Sequence, residues 1–266
     1  MSDFFSKDEN KFFKEYFKKG YHVFDVKNLD SLRYIKKGIQ NLILNENNKL
    51  KKEKSDLFNN LHLHVNKKEI NNFRLSIFRK LNNLKNIRLH YFKAVSPFIE
   101  MINGNELVMQ KNLNLSIQMP KDDESLLDIH ADTWSGDSAY ETVALIPLVD
   151  CKHTKTMFIL PANKYKRFNQ ILKKKNINDS KKLFEVLKKD LSWINIKYGQ
   201  VLLFNQTLPH GNIINNTKET RFSLNCRFKS IFSPYGDKKI GEFFEPISLR
   251  PASKIGMNYK LPKIDN

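Results

Sequence analysis

Two side chains that can bind a metal ion lie two positions apart in the segment DIHAD. They are His130 and Asp132, at the end of a stretch that reads as extended. Side chains two apart along a strand lie on the same face, so an imidazole and a carboxylate placed this way can reach one ion. The acidic and polar run KDDESLLD just before them is equally typical of a surface loop. The pair alone leaves both interpretations open.

A third potential ligand, His210, follows the strand-like run QVLLF after the short turn NQTLP. At the rim of a β-barrel it can face His130 and Asp132. Two imidazoles and one carboxylate on one face of an octahedron are the ligand set of non-haem iron(II) oxygenases. Such a site leaves three positions open, two for the keto-acid end of 2-oxoglutarate and one for dioxygen. We predict that these three residues bind Fe(II) and form the catalytic centre.

A site of this kind needs a second anchor, for the distal carboxylate of 2-oxoglutarate. Arg221 lies eleven residues after His210, inside the strand-like run TRFSLNCRF. A planar guanidinium binds a carboxylate through two parallel hydrogen bonds. Ser223 lies two positions further, on the same strand face, where its hydroxyl can donate to the same group. The alternative for Arg221 is an ordinary strand arginine in a salt bridge.

Four more residues are candidates for contacts around the metal. Gln118 and Asn114 share one face of the strand before the H-x-D pair, and we predict a 2-oxoglutarate contact for Gln118 and a substrate contact for Asn114, although a solvent-facing strand is equally compatible. Arg227 lies on the same strand face as Arg221 and is predicted to meet an anionic substrate, with a salt bridge as the alternative. Trp134 can stack on a sugar ring or act in packing.

The first hundred residues favour helices. A helical pattern starts at Ser6 and ends at Gly20, a favourable C-terminal cap, and the short strand YHVFDV follows. Apolar residues again recur at helical spacing after Asp30 and from Phe73 towards Pro97, while residues 45–56 are polar enough to predict a solvated loop.

From residue 106 the pattern changes to strands, as in NLNLSIQ, where apolar and polar residues alternate. We predict an α+β fold with a mainly β core over residues 106–235, an antiparallel barrel or jelly roll buttressed by the helices of residues 1–105. Residues 163–190 form one helical insertion that must loop out of the barrel, and 236–266 a C-terminal extension. The whole chain, residues 1–266, is predicted to be a single catalytic domain.

The amino-acid composition and the net charge limit the classes of partner that the chain can have. The 266 residues include 20 Phe and are 40% hydrophobic, which is typical of a globular chain. Two cysteines without CxxC spacing, no leader-like start and no long apolar run predict a cytoplasmic protein without a membrane span. The net charge of +18 can attract nucleic acid, anionic lipid or a phosphorylated substrate. The lysines are scattered along the chain, however, so a nucleic-acid partner is not expected.

The series HAD, LPHGN and RFS resembles the 2-oxoglutarate/iron(II) oxygenase superfamily. The opening FFKEYFKKGYHVFDV is similar to the start of phytanoyl-CoA-hydroxylase-like members. The segments IQMPKDDESLLDIHADTWSGDSAYETVALIPLVD and MFILP resemble oxygenases of sporadic bacterial carbohydrate clusters, relatives of the StrG-type proteins of aminoglycoside pathways. This resemblance implies a double-stranded β-helix and a sugar or sugar-conjugate substrate oxidised with dioxygen. Asp132 argues against a halogenase, in which a small residue replaces the carboxylate.

Two other functions fit the same barrel. A cupin-like sugar isomerase or carbohydrate-binding barrel would use the fold without oxygen chemistry, and Arg221 would then be dispensable. A nucleic-acid demethylase of the same superfamily is suggested only by charge, and it predicts oligonucleotide binding that weakens steeply with salt.

Overall fold

Two antiparallel sheets face each other and enclose the centre of the molecule. The computed structural model describes residues 4–46, 56–175, 177 and 179–262, without the side chains of residues 174 and 175. Most of the predicted loop at 45–56 lies outside these residues. The sheets with their flanking helices form the predicted α+β jelly roll.

The larger sheet has seven strands. Its order is β1, β7, β4, β9, β2 and β10, and β3 pairs with the first half of the long strand β9. The strands are β1 (Tyr21–Asp25), β2 (Leu107–Gln110), β3 (Asn114–Gln118), β4 (Thr142–Pro147), β7 (Gln200–Asn205), β9 (Arg221–Ser230) and β10 (Phe244–Ser248). Its edge strands β1 and β10 come from outside residues 106–235, so the predicted helical part and C-terminal extension each add one strand to the sheet.

The smaller sheet consists of β5 (Met157–Ile159), β6 (Ser192–Trp193) and β8 (His210–Asn212), with β5 in the middle. The free edge of β8 is paired by residues 127–130. The amide of His130 donates to the carbonyl of His210 at 3.0 Å, and the reverse bond is 2.7 Å. The amide of Asn212 donates to the Leu127 carbonyl at 3.0 Å. These bonds fix the register between two segments that are eighty residues apart in the chain.

The N-terminal helices cover the outer face of the larger sheet. They are α1 (Lys7–Lys19), α2 (Leu29–Glu46), α3 (Ile70–Asn82), α4 (Ile87–Val95) and α5 (Phe98–Asn103). The predicted bounds of α1 are confirmed: Ser6 caps its first turn, accepting from the Glu9 amide at 3.2 Å, and Gly20 ends it with φ of 75°. The apolar face of α2 is fully buried in the main core at Ile35, Ile39 and Ile43.

The insertion consists of α6 (Tyr165–Lys175) and α7 (Ser180–Leu187), and a last helix, α8 (Pro251–Asn258), follows β10. We expected the insertion to loop out of the barrel, and the structure shows that it packs directly on the segment that precedes His130. Its Phe168, Leu183 and Leu187 form a second apolar core with Phe158 and with Ile129, the residue before His130. The insertion therefore supports the barrel rim.

A search of the described helices finds none that combines the length and the apolar character needed to cross a bilayer.

The close pairing at β8 leaves no room for a side chain at Gly211. A Cβ atom there would lie 2.6 Å from the Leu127 carbonyl oxygen and 2.8 Å from the Phe158 ring. Because a backbone oxygen cannot rotate away, we expect Gly211→Ala to lower the free energy of unfolding by about 1–3 kcal/mol, as overpacking does. Urea denaturation followed by circular dichroism measures this change.

The matched control is Gly256→Ala in α8, where an added Cβ meets nothing within 4 Å. There the substitution should be neutral or slightly stabilising, because alanine is the better helix former. Equal stability of Gly211→Ala and wild type would contradict the pairing described here.

Candidate active site

A cavity of about 260 Å³ lies between the two sheets, at the rim where residues 127–132 cross β8. Its walls combine polar and apolar side chains. The lining residues are Asn114, Ser116, Leu127, His130, Asp132, Val143, Leu145, Met157, Phe204, His210, Gly211, Asn212, Arg221, Asn225 and Arg227. Six of the nine residues that the sequence singled out are among them.

The two histidines are held side by side by the bridge between their backbones. Their ring centroids are 4.4 Å apart. Nδ1 of His130 lies 2.7 Å from the Asp128 carbonyl oxygen, and Nδ1 of His210 lies 2.9 Å from that of Leu208. A carbonyl only accepts, so each Nδ1 must carry the proton. Each ring therefore presents the lone pair of Nε2, the arrangement that metal-binding histidines use.

Asp132 completes the predicted set. It begins a short 3-10 turn, Asp132–Ser135, and its Oδ1 lies 3.7 Å from Nε2 of His130. One ligand atom from each of Asp132, His130 and His210 lies within 4.8 Å of the others, and no second cluster of this kind occurs in the described part of the chain. The donor set of two imidazoles and one carboxylate fits Fe(II).

Burial keeps His210 in the form that a metal requires. Desolvation of the ring is the largest cause that lowers its pKa to about 4, and the nearby Asp132 carboxylate only partly offsets it. A group with a lowered pKa is neutral above that value, so the Nε2 lone pair of His210 is available at neutral pH.

Arg221 enters the same cavity as a buried cation. It is 5% exposed, its guanidinium contacts the Cys151 thiol, and burial lowers its pKa. Nε of Arg221 and Oγ of fully buried Ser223 both lack a hydrogen-bond partner, and no carboxylate in the described part of the chain forms an ion pair with Arg221. Arg221 therefore does not form the strand salt bridge that was its predicted alternative role. A buried charge of this kind calls for an anionic ligand.

Gln118 lies behind the cavity wall. It is fully buried and stands directly across from Arg221 in the pairing of β3 with β9. Its Nε2 donates to the Ile213 carbonyl at 2.8 Å, and its Oε1 has no partner. Neither Gln118 nor Ser223 lines the open space. A 2-oxoglutarate contact by Gln118 stays a prediction.

Arg227 lines the cavity and forms the salt bridge that was its alternative role. Its Nη2 lies 3.1 Å from Oδ1 of Asp132 and 3.4 Å from Oδ2 of Asp137. Lys238 bonds the same Asp137 carboxylate at 2.6 Å. Asp137 and Lys238 were not foreseen, because nothing in their local sequence indicates that a turn and the C-terminal extension meet beside Asp132.

Asn114 lines the cavity, whereas Trp134 does not. Asn114 donates to Oδ1 of Asn225 at 2.9 Å from its amide nitrogen. Trp134 stacks in parallel on Phe168 of the insertion with ring centroids 6.1 Å apart, and it is 48% exposed. Substrate contacts by either residue stay predictions, and the packing role of Trp134 is the one seen here.

Three polar contacts fix the segment that carries the metal ligands. Asn212 accepts from the Leu127 amide at 2.7 Å and donates to the Ser125 carbonyl at 3.2 Å. Ser180 of α7 donates to the Asp128 carboxylate at 2.7 Å. Sequence reasoning missed Asn212, although its position two residues after His210 puts its side chain on the same face of β8.

Comparison with known proteins identifies solved structures of similar fold. No family model matches the chain, and no curated protein does. Among solved structures, the chain is similar to the non-haem monooxygenase ThoJ in a nickel complex, with 13% identity, 90% of this chain and 84% of that chain covered, and a TM-score of 0.52.

Two further structures are similar over most of the chain. One is the non-haem α-ketoglutarate-dependent carbocyclase SnoK from nogalamycin biosynthesis, with 15% identity, 92% and 97% coverage and a TM-score of 0.52. The other is HygX from Streptomyces hygroscopicus with nickel and 2-oxoglutarate bound, with 12% identity, 89% and 90% coverage and a TM-score of 0.50. At these identities the likeness establishes a common fold.

The geometry predicts one divalent metal ion per chain. We expect His210→Ala to weaken binding of Co²⁺, a spectroscopic substitute for Fe²⁺, by at least about a hundredfold, because one of three protein ligands is lost. Anaerobic titration followed by visible absorption measures the affinity. Exposed His153, which lies outside the cavity lining, supplies the control His153→Ala with unchanged affinity. Full Co²⁺ affinity in His210→Ala would refute this metal site.

Proposed function

We propose that the protein is a non-haem iron(II) and 2-oxoglutarate-dependent oxygenase. The observation that carries the proposal is one cavity lined both by the cluster of His130, Asp132 and His210 and by the buried Arg221, which forms no ion pair with a carboxylate of the described residues. Ser223 is buried behind the wall on the same strand, with its Oγ unpaired. The cluster suits a divalent metal, and Arg221 suits a carboxylate. A ligand that chelates a metal at one end and carries a carboxylate at the other matches both.

Each protein group has a defined task in this reaction. His130, Asp132 and His210 would hold Fe(II), and Arg221 with Ser223 would hold the distal carboxylate of 2-oxoglutarate. When bound, iron and 2-oxoglutarate would allow dioxygen to oxidise a substrate C–H bond: one oxygen atom would go to the substrate and the other to succinate, which forms as 2-oxoglutarate loses carbon dioxide. The apolar walls, Val143, Leu145 and Phe204 among them, limit the access of water.

The proteins of similar structure agree with this chemistry. ThoJ is described as a non-haem monooxygenase, SnoK as α-ketoglutarate-dependent, and HygX was obtained with nickel and 2-oxoglutarate. The cupin-like alternative without oxygen chemistry gives no reason for a buried arginine without a carboxylate partner. The demethylase reading rests on net charge alone.

For the substrate we propose a sugar or sugar conjugate, oxidised in carbohydrate biosynthesis. The sequence resemblance of residues 117–150 and 157–161 to carbohydrate-cluster oxygenases supports this choice. The rim side of the cavity offers amide groups, Asn114, Asn212 and Asn225, which suit hydroxyl-rich ligands, and Arg227 for an anionic group. Trp134 stands near this rim on the surface.

Anaerobic addition of Fe(II) and 2-oxoglutarate tests the cofactor assignment. Chelation of the keto acid to iron produces a weak visible charge-transfer band, and we expect this band in the wild type. His130→Ala should lose it, because the ligand set is incomplete. Well-folded wild-type protein without the band would contradict the proposal and favour the non-oxygenase barrel.

A substitution of Arg221 tests 2-oxoglutarate binding separately from metal binding. We expect Arg221→Gln to weaken 2-oxoglutarate binding about tenfold to hundredfold, the loss of a charge-assisted hydrogen bond pair, with unchanged Co²⁺ affinity. Titration of the same band against 2-oxoglutarate gives the affinity. Arg79→Gln on the exposed side of α3 is the matched control. Wild-type 2-oxoglutarate affinity in Arg221→Gln would exclude this arginine as the anchor.

A further inference from the structure

Helix α1 and the residues just before its N-terminal cap present exposed aromatic side chains. Phe4 is 96% exposed, Phe17 is 71% exposed and Phe5 is 47% exposed. We call these three residues the aromatic edge. None of the thirteen residues of α1 is buried, although Phe12 packs on Phe24 of β1 at a ring distance of 5.4 Å. Phe5 and Phe17 line one groove, and large apolar side chains that are exposed together mark an interaction surface.

An open groove extends the aromatic edge towards α5. It has a volume of about 880 Å³ and lies on a part of the surface that shares no lining residue with the metal cavity. Its apolar lining residues are Phe5, Phe13, Tyr16, Phe17, Met101, Ile102, Ala139 and Tyr140. The carboxylates of Glu9 and Glu100 also line it. The apolar surface is therefore broader than the edge itself and is separate from the proposed chemistry.

A stripe of lysines runs beside the aromatic edge. Lys7, Lys11, Lys14 and Lys18 recur every three or four residues, so they lie on one side of the helix. All four are exposed, and no carboxylate in the described part of the chain forms an ion pair with them. Phe17 follows Lys14 by three residues and so adjoins the stripe. The charges are free to meet an anionic partner.

We propose that α1 docks on an anionic lipid membrane, with the aromatic edge inserted among the lipid chains and the lysine stripe on the headgroup phosphates. A helix with aromatic residues alongside lysines is suited to lie in the plane of a bilayer interface. The net charge of +18 draws the molecule to a negative surface. A second copy of the chain fits less well, because two lysine stripes of the same sign would be brought together.

Sedimentation with lipid vesicles tests this docking. We expect the full-length protein to bind vesicles of phosphatidylcholine with phosphatidylglycerol at physiological salt, and to bind pure phosphatidylcholine vesicles far less. Phe4→Ser/Phe17→Ser should lower the partition coefficient about tenfold or more, since the apolar area that inserts is lost. Lys14→Ala/Lys18→Ala should lower it about thirtyfold.

Matched controls change equally exposed residues elsewhere. Leu63→Ser/Leu75→Ser removes exposed apolar side chains, and Lys181→Ala/Lys182→Ala removes two exposed lysines of α7. Both should bind as wild type does. No binding to phosphatidylglycerol vesicles, or equal losses in α1 variants and controls, would overturn the proposal. So would a dimer by light scattering that Phe4→Ser/Phe17→Ser dissociates. The assay needs no iron or 2-oxoglutarate, so its outcome is independent of the proposed activity.

Discussion

The pair of backbone hydrogen bonds between His130 and His210 is the constraint on which the candidate site depends. It joins two segments far apart in sequence and sets their imidazoles 4.4 Å apart. Because each ring also donates to a carbonyl two residues before it, the same backbone decides which nitrogen faces the cavity. A shift of one residue in this register would turn one ring away from the other. Gly211 permits the close approach that the register needs.

Hydrogen bonds, ion pairs and apolar contacts from outside the barrel core hold the segments of His130 and His210 in place. Asn212 ties the segment before His130 to β8, and the insertion adds the Ser180 contact and an apolar core around Ile129. On the other side, Arg227 joins Asp132 to Asp137, which the C-terminal extension reaches through Lys238. Supports from five parts of the chain therefore surround the three side chains: β8, the insertion, β9, the turn at Asp137 and the C-terminal extension. Rigid support of this kind is what a metal site requires.

Two polar side chains at and behind the cavity wall are buried without all of their hydrogen-bond partners. Nε of Arg221 and Oγ of Ser223 are unpaired, and burying an unpaired polar atom lowers the stability of the fold. Folding tolerates such groups at a cost, and a bound anion that satisfies them recovers part of it. The surface of α1 has the opposite character, with apolar groups in water and free lysines. The cavity and the surface of α1 lie on different parts of the molecule. We propose that the cavity carries out the reaction and that α1 brings the protein to a membrane.

The sequence by itself determined local structure, through the alternation of apolar and polar residues in strands and through the residues that cap helices. It predicted α1 with both caps, the change from helices to strands, three residues whose side chains can bind a metal ion, and the shared strand face of Arg221, Ser223 and Arg227. Only the tertiary structure decided that Arg227 pairs with Asp132, that Gln118 lies behind the cavity wall, and that the insertion packs on the segment before His130. The reason is physical: periodicity specifies the face on which a side chain lies, whereas its partner comes from a remote segment whose position depends on the packing of the whole fold.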